Sequence, residues 1–245
     1  MKKGRLNAVH DIILSPPFSN LKLLSLYPNT TRILGTYTLK KRRGLWRVLT
    51  TLKKTERGWV NNVGLRNGGI DSVPNKPHII SLAELEDGDW ETMLHSLSEK
   101  DLIQGVELNI SCPNANVKYA NSDVLDLAHQ LFKQVIVKVP HGTPMPRIFS
   151  LAEQGATTLH ISNTERTPEG ALSGLALQED NLYIIEELKK WYPTIKVIGG
   201  GGIYSLEDLE RYRSAGADHF SLSTVLMNPI KTNRIVRGYN ALQSL

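Results

Sequence analysis

The amino-acid sequence predicts an α/β fold, a single (β/α)8 barrel with a small extra hairpin or lid near residues 40–64. Three observations predict it. Short apolar segments alternate with amphipathic segments at a spacing of about 30 residues, and eight apolar segments of this kind occur. Several of them, such as Val135-Ile136-Val137, are apolar on both faces, which is typical of strands buried in a parallel sheet. A doubly wound open sheet is the alternative fold.

The individual elements follow from residue patterns. Helices are expected where apolar residues recur at helical spacing, at 90–97, 123–132, 181–191 and 206–212. Ser205 precedes the last helix, and Asp208 three residues later completes a capping arrangement. Residues 40–64 contain alternating stretches, which favour a hairpin outside the barrel. Strands are expected where short apolar runs are bounded by polar turns, at 11–14, 33–39, 78–83, 105–110, 134–139, 157–161, 195–199 and 218–222.

The composition is that of one globular domain, which we expect to span residues 1–245. Hydrophobic residues make up 40% of the chain and charged residues 22%, so a chain of this length needs no disulfide or metal to fold. The single cysteine, Cys112, excludes an internal disulfide and a zinc finger or iron–sulfur cluster held by cysteines of this chain alone. No apolar run approaches the ~20 residues of a membrane helix, so we expect a cytoplasmic protein with no membrane partner. The net charge of +5 suits a phosphate-bearing ligand or an RNA backbone.

Polar and reactive side chains follow the fourth predicted strand, in the sequence ELNISCPN at 107–114. Functional residues of (β/α)8 barrels lie at the carboxyl ends of the strands. Asn109 and Asn114 each offer hydrogen-bond donors and an acceptor, which suit the edge of a planar heterocycle. Cys112 lies between them, which favours a thiol that acts as an acid or base over an inert buried one.

Two lysines are placed where an anion would be bound. Lys138 lies inside the apolar fifth strand, and a lysine buried without a partner is costly, so we expect it to face an anionic group. Lys40 follows the second strand, in a cluster of basic residues, and Asn163 and Thr164 follow the sixth.

A glycine-rich turn follows the seventh strand, at 199–202, and the eighth strand ends in Ser223 and Thr224. Backbone amides of such turns approach phosphate groups closely, and the loops after strands seven and eight are the usual phosphate site of this barrel. A phosphate-anchored cofactor with a heterocyclic ring is predicted, and flavin mononucleotide (FMN) fits this description.

Taken together, these residues resemble the dihydroorotate dehydrogenase family, in its soluble cysteine-using class (class 1), over roughly residues 33–226. The strongest match is 107–114; the sequence NNVGLRN at 61–67 resembles the family's substrate loop, and GALSG at 170–174 resembles its Gly-Gly-Leu-Ser-Gly turn. The resemblance implies a TIM barrel that binds FMN and oxidises dihydroorotate to orotate in de novo pyrimidine biosynthesis. It assigns Cys112 as the catalytic base at C5, with hydride transfer from C6 to flavin N5.

The resemblance also assigns binding residues, and it assigns none to a metal. The residues implied for the substrate are Lys40, Asn61, Gly64, Leu65, Asn109, Asn114, Asn163 and Thr164. The residues implied for the cofactor are Lys40, Asn109, Lys138, Gly174, Gly201, Gly202, Ser223 and Thr224.

The chain departs from the family pattern at identifiable positions. Ser15-Pro16-Pro17 stands where an Ala-Ser-Gly or Ala-Ala-Gly turn is usual, Arg66 replaces a proline, and Ser223 replaces a glycine. The chain is also shorter than typical members.

Several alternatives remain at this point. A tRNA-dihydrouridine synthase-like enzyme would use the positive charge, but the asparagines and the 61–67 loop suit a free small ring better than nucleic acid. Another dihydropyrimidine flavoenzyme is a third reading, and a non-catalytic flavin- or phosphate-binding barrel, which Pro16 and Pro17 favour, is a fourth. The electron acceptor is open between fumarate, NAD through a partner subunit, and other oxidants. The resemblance implies a homodimer.

Overall fold

The computed structural model describes residues 9–20, 27–43, 51–62, 64–111, 120–161 and 164–243. In these ranges short 3-10 helices occur at Phe18–Asn20, Ile70–Ser72, Leu175–Leu177 and Thr224–Met227. The strands are β1 (Ile12–Leu14), β2 (Thr30–Tyr37), β3 (Lys53–Thr55), β4 (Gly58–Asn61), β5 (Ile79–Leu82), β6 (Gly105–Asn109), β7 (Gln134–Val139), β8 (Thr158–Ile161), β9 (Glu165–Thr167), β10 (Gly170–Ser173), β11 (Lys196–Gly200) and β12 (His219–Leu222).

Eight of these strands form a closed parallel barrel in the order β1-β12-β11-β8-β7-β6-β5-β2. The barrel closes because β1 pairs in parallel with both β12 and β2. All eight predicted strands are present, and the largest difference in a boundary is at β2, predicted at 33–39 and observed at Thr30–Tyr37. The predicted (β/α)8 barrel is therefore confirmed, and the alternative of an open doubly wound sheet is wrong.

Helices surround the barrel. The helices at Asp89–Ser98 (α1), Ser122–Leu131 (α2), Gln178–Trp191 (α4) and Leu206–Ser214 (α5) confirm the four predicted ones. The helices at Met145–Glu153 (α3) and Pro229–Leu242 (α6) were not predicted. The predicted cap of α5 is present, since Ser205 Oγ accepts a hydrogen bond of 3.1 Å from the backbone N–H of Asp208. No helix in the described ranges is both long and apolar enough to span a lipid bilayer.

A second, antiparallel sheet in the order β3-β4-β10-β9 lies outside the barrel strands. Its β3–β4 hairpin confirms the hairpin predicted near 40–64, whereas the β9–β10 hairpin that extends it was not predicted. The two hairpins join where Asn61 pairs with Ala171. Gly170 allows this approach: it has a φ of 135°, and a Cβ at this position would lie 2.5 Å from the carbonyl oxygen of Asn61.

The barrel interior has an apolar layer and a polar layer. Ile13, Ile33, Ile79, Ile136 and Ile198 form one buried cluster inside the barrel, separate from the larger core between strands and helices. Successive side chains of a strand point to opposite faces, so residues two positions further along the strands face the same interior. These residues include Ser15, Ser81 and Lys138. The polar layer therefore lies on the side of the carboxyl ends of the strands.

Candidate functional site

A cavity lies above the polar layer, at the carboxyl ends of the barrel strands. The loops after β1, β11 and β12 contribute to it, as do β7 and the second sheet. It encloses about 90 Å³, which accommodates a phosphate group and is less than the roughly 300 Å³ of the smallest ordinary ligand sites. Eight of the predicted site residues line it: Asn61, Lys138, Thr164, Gly174, Gly201, Gly202, Ser223 and Thr224.

At one end of this cavity the backbone conformation and the close packing require glycine. Gly202 has a φ of 78°, and a Cβ at this position would lie 2.9 Å from the Cα of Leu175 and 3.1 Å from the carbonyl oxygen of Gly174. No other residue type adopts this conformation readily, and none would fit this contact. The turn thus brings backbone of the β10 and β11 loops together at one point, which is the arrangement that a phosphate cradle requires.

Two hydroxyl groups complete this end of the cavity. Thr224 Oγ1 is 2.8 Å from the hydroxyl oxygen of Tyr204, and burial raises the pKa of Tyr204. Tyr204 was not predicted as a site residue, although it follows the glycine turn by two positions. Its position just after a glycine-rich turn is a signal that could have identified it. It fixes the side chain of Thr224 at the edge of the cradle.

Pro16 and Ser223, two residues that differ from the family pattern, contact each other. Ser223 Oγ donates a hydrogen bond of 3.0 Å to the carbonyl oxygen of Pro16, and both residues line the cavity. The peptide bond between Pro16 and Pro17 is cis. Ser15 Oγ and Ser221 Oγ are hydrogen-bonded at 2.7 Å, one layer deeper. The loop after β1 is therefore held to β12 by side chains, so the altered turn is an ordered wall of the cavity.

Lys138 is buried at the base of the cavity, and charged or polar groups of neighbouring strands lie beside it. Glu107 on β6 has no exposed side-chain surface, and His160 on β8 is 1% exposed. Burial alone would raise the pKa of Glu107, but the Lys138 charge and hydrogen bonds from His160 and Ser81 outweigh it and lower that pKa to about 2. Burial and the Lys138 charge lower the pKa of His160. At neutral pH the layer thus contains an anion, a neutral imidazole and a lysine.

Asn109 is held by hydrogen bonds at the carboxyl end of β6. Its Nδ2 donates to Thr36 Oγ1 at 2.7 Å, and its Oδ1 accepts from the backbone N–H of Ser111 at 3.1 Å and from the Ser111 hydroxyl. Partners on both ends of the amide fix its orientation. The side chain is therefore placed in one rotamer next to the end of the barrel, as a binding residue requires.

Besides Asn109, three predicted site residues are described but do not line the cavity. The Lys40 side chain is 72% exposed, and its Nζ forms an ion pair of 2.6 Å with Glu86. The hydrogen bond to Glu86 raises the pKa of Lys40. Leu65 is buried, and Gly64 next to it has a φ of 67°. The structure therefore does not bring Lys40, Gly64 or Leu65 to the residues that line the cavity.

Three further predicted residues, Cys112, Asn114 and Asn163, lie outside the described residues. Their assignments stay predictions. They follow β6 and β8, the two strands that carry Glu107 and His160.

No protein-family profile matches the chain. The catalytic subunit of dihydroorotate dehydrogenase B (NAD(+)) from Bacteroides thetaiotaomicron is 28% identical over 239 residues, 83% of this chain and 78% of that protein. The same subunit from Halalkalibacterium halodurans is 29% identical over 206 residues, 70% of this chain and 67% of that protein. Dihydroorotate dehydrogenase A (fumarate) from Limosilactobacillus reuteri is 28% identical over 205 residues, 67% of this chain and 66% of that protein.

Solved structures are similar in fold. The crystal structure of the dihydroorotate dehydrogenase of Eimeria tenella in complex with ferulenol superposes with a TM-score of 0.74 at 15% identity, covering 96% of this chain and 82% of that one. The ligand-free form of the same enzyme gives a TM-score of 0.74 at 16% identity, with 96% and 84% covered. The fold is thus shared over nearly the whole chain.

Proposed function

Because the chain resembles the dihydroorotate dehydrogenases in sequence and in fold, we propose that it is an FMN-dependent oxidoreductase that oxidises dihydroorotate to orotate. One structural observation supports the proposal. Asn61, which the resemblance assigns to the substrate, and Lys138 and the turn at Gly201 and Gly202, which it assigns to the cofactor, line one cavity at the carboxyl ends of the barrel strands. The phosphate end of the cofactor would lie in this cavity.

The described residues fit the phosphate end of FMN. Gly174, Gly201 and Gly202 bring backbone to the cavity with no side chain in the way, and Thr224 adds a hydroxyl held by Tyr204. We assign the phosphate to this group of residues and to Ser223. Lys138 supplies a positive charge at the base of the cavity for the ring system. When bound, FMN supplies an acceptor for the hydride that leaves C6 of dihydroorotate.

The protein's own residues would handle the substrate and the proton. Asn61, Asn109 and Thr164 offer amide and hydroxyl groups that orient the dihydropyrimidine ring. Cys112, as a thiolate, takes the proton from C5; the electron pair of that C–H bond forms the C5–C6 double bond as hydride leaves C6. Lys138 stabilises the negative charge that accumulates in the site.

A purified sample tests this function directly. We expect a yellow protein with one FMN per chain, whose visible absorbance bleaches on anaerobic addition of dihydroorotate. Adding fumarate or NAD(+) to the bleached protein then identifies the electron acceptor by the return of colour. A protein that is colourless after incubation with FMN, or that stays yellow with dihydroorotate, would refute the proposal.

Replacing Gly202 by alanine should disrupt the phosphate cradle. The new methyl group meets the backbone of Leu175 and Gly174, so we expect the affinity of the apoprotein for FMN to fall at least about tenfold. Titration of FMN fluorescence with apoprotein measures this affinity.

The matched control is Gly155→Ala. Gly155 also has a positive φ, 97°, but a Cβ there would meet nothing within 4 Å, and the residue follows α3 at the opposite end of the barrel. Both variants lose about 1 kcal/mol of unfolding free energy through backbone strain. Equal FMN affinity in the two variants would show that the phosphate does not bind at this turn.

A further inference from the structure

A continuous hydrogen-bonded chain runs through the polar layer from Asn109 to His160. Asn109 Nδ2 donates to Thr36 Oγ1 at 2.7 Å, and Thr36 Oγ1 and Ser81 Oγ are 2.9 Å apart. Ser81 Oγ donates to Glu107 Oε1 at 2.7 Å, and His160 Nδ1 is 2.7 Å from Glu107 Oε2. The chain links the adjacent strands β2, β5 and β6 and reaches β8 across β7, with the Glu107 carboxylate between Ser81 and His160.

The directions of these hydrogen bonds are determined by Glu107. An ionised carboxylate only accepts hydrogen bonds, so Ser81 and His160 must both donate to it. Ser81 then has its lone pairs available and accepts the Thr36 proton, which leaves Thr36 Oγ1 to accept from the Asn109 amide. The negative charge on Glu107 thus supports, through two hydroxyl groups, the orientation of the Asn109 amide that the Ser111 N–H also favours.

The same carboxylate also interacts electrostatically with Lys138. The ionisable groups that interact with Glu107 in the described part of the chain are Lys138 from β7 and His160 from β8. His160 stays neutral because burial and the neighbouring lysine oppose its protonation. Glu107 is therefore a negative charge in the same layer as Lys138, and a buried charge is retained only where it is compensated.

This layer is not explained by stability alone. Buried ion pairs add little to stability compared with well-packed apolar side chains. The isoleucine layer directly beneath shows that this barrel is filled by apolar residues where no ligand is near. The ionised groups occur at the one level of the interior that borders the cavity.

We infer that Glu107 is a positioning residue, which holds the Lys138 cation and the Asn109 amide in place for the bound cofactor and substrate. Glu107 is fully buried beneath both side chains, so we place it out of contact with either ligand. The inference rests on the proposed function, because that function places FMN against Lys138 and substrate against Asn109. It assigns a role to a residue that the resemblance left without one.

The main test is orotate affinity in Glu107→Gln. The neutral amide removes the negative charge and can present an N–H to Ser81, so the hydrogen-bond directions along the chain are no longer fixed. We therefore expect the variant to bind orotate about tenfold more weakly than the wild type. The conservative Glu107→Asp variant, which keeps the charge, should recover most of that affinity.

A second variant, Ser81→Ala, interrupts the hydrogen-bonded chain and leaves the charge of Glu107 in place. We expect its affinity for orotate to fall about fivefold or more, which the flavin absorbance change on orotate binding measures. This variant decides the question if Glu107→Gln does not fold.

The results that would overturn this inference differ from those that would overturn the proposed function. Three results overturn the inference alone. They are a Glu107→Gln protein with the orotate affinity of the wild type, an aspartate variant as defective as the glutamine one, and a Ser81→Ala protein with unchanged orotate affinity. A wild-type protein that binds neither FMN nor orotate overturns the proposed function as well.

Discussion

Replacing Cys112 by alanine is expected to lower the rate of dihydroorotate oxidation roughly 10²- to 10⁴-fold, the contribution of a general base. The variant keeps the phosphate cradle and Lys138, so its FMN content should equal that of the wild type. Loss of turnover with retained cofactor distinguishes a missing base from a missing binding site. Anaerobic rapid mixing with dihydroorotate, followed at the flavin absorbance, measures the step in which the base acts.

The control for this prediction is Cys112→Ser. A hydroxyl group has nearly the shape of the thiol but gives up its proton far less readily, so a slow rate that increases with pH is expected. Alanine and serine variants that both reduce the flavin at the wild-type rate would show that Cys112 is not the base.

Acid should destabilise this protein through the Glu107–His160 pair. The pKa of Glu107 is about 2 in the folded state, against an ordinary value of 4.5. Its contribution to the free energy of unfolding is therefore present above pH 4.5 and is lost as the pH falls towards 2. The pKa of His160 is also lowered from 6.5, so below pH 6.5 the unfolded chain takes up a proton that the folded protein refuses. Glu107 and His160 therefore both lower the free energy of unfolding as the pH falls.

Urea unfolding at pH 7, 5 and 3 tests this in the wild type and in Glu107→Gln. The glutamine cannot titrate, so the difference in unfolding free energy between the two proteins should shrink on acidification. The full shift of the Glu107 pKa corresponds to roughly 3 kcal/mol, most of which is lost between pH 5 and 2. A difference that stays constant across these pH values would mean that the carboxylate is not held ionised by its neighbours.

The barrel could be predicted from local patterns, because each buried strand is a short apolar run bounded by polar residues. The same rule missed α3 and α6. Helix α3 contains Pro146 in its first turn, and α6 carries charged residues along much of its length and Gly238 near its end. Asn228 does cap α6 by accepting from the N–H of Lys231, and the Asn-Pro pair at its start was the available signal. The β9–β10 hairpin was hidden because its strands are short and pair with a distant segment.

The cavity lining was predictable where a residue's place depends on its position along a strand, and not where a distant partner determines it. Lys138 and the 201–202 turn follow from the rule that barrel sites lie at the carboxyl ends of strands. The direction of Lys40 depends on Glu86, 46 residues away, which no local pattern reveals. The sequence shows that Glu107 is an acidic residue inside a buried strand. The role that we infer for it depends on Ser81 and His160, which contact it only in the folded structure.

The isoleucine layer determines at which end of the barrel ligands can enter and leave. Ile13, Ile33, Ile79, Ile136 and Ile198 close the interior on the side away from the cavity, and side chains packed at this density leave no passage through the barrel. In the proposed enzyme, substrate, product and any soluble oxidant would therefore share one entrance, at the carboxyl ends of the strands. Whatever covers that entrance controls the exchange of all of them at once.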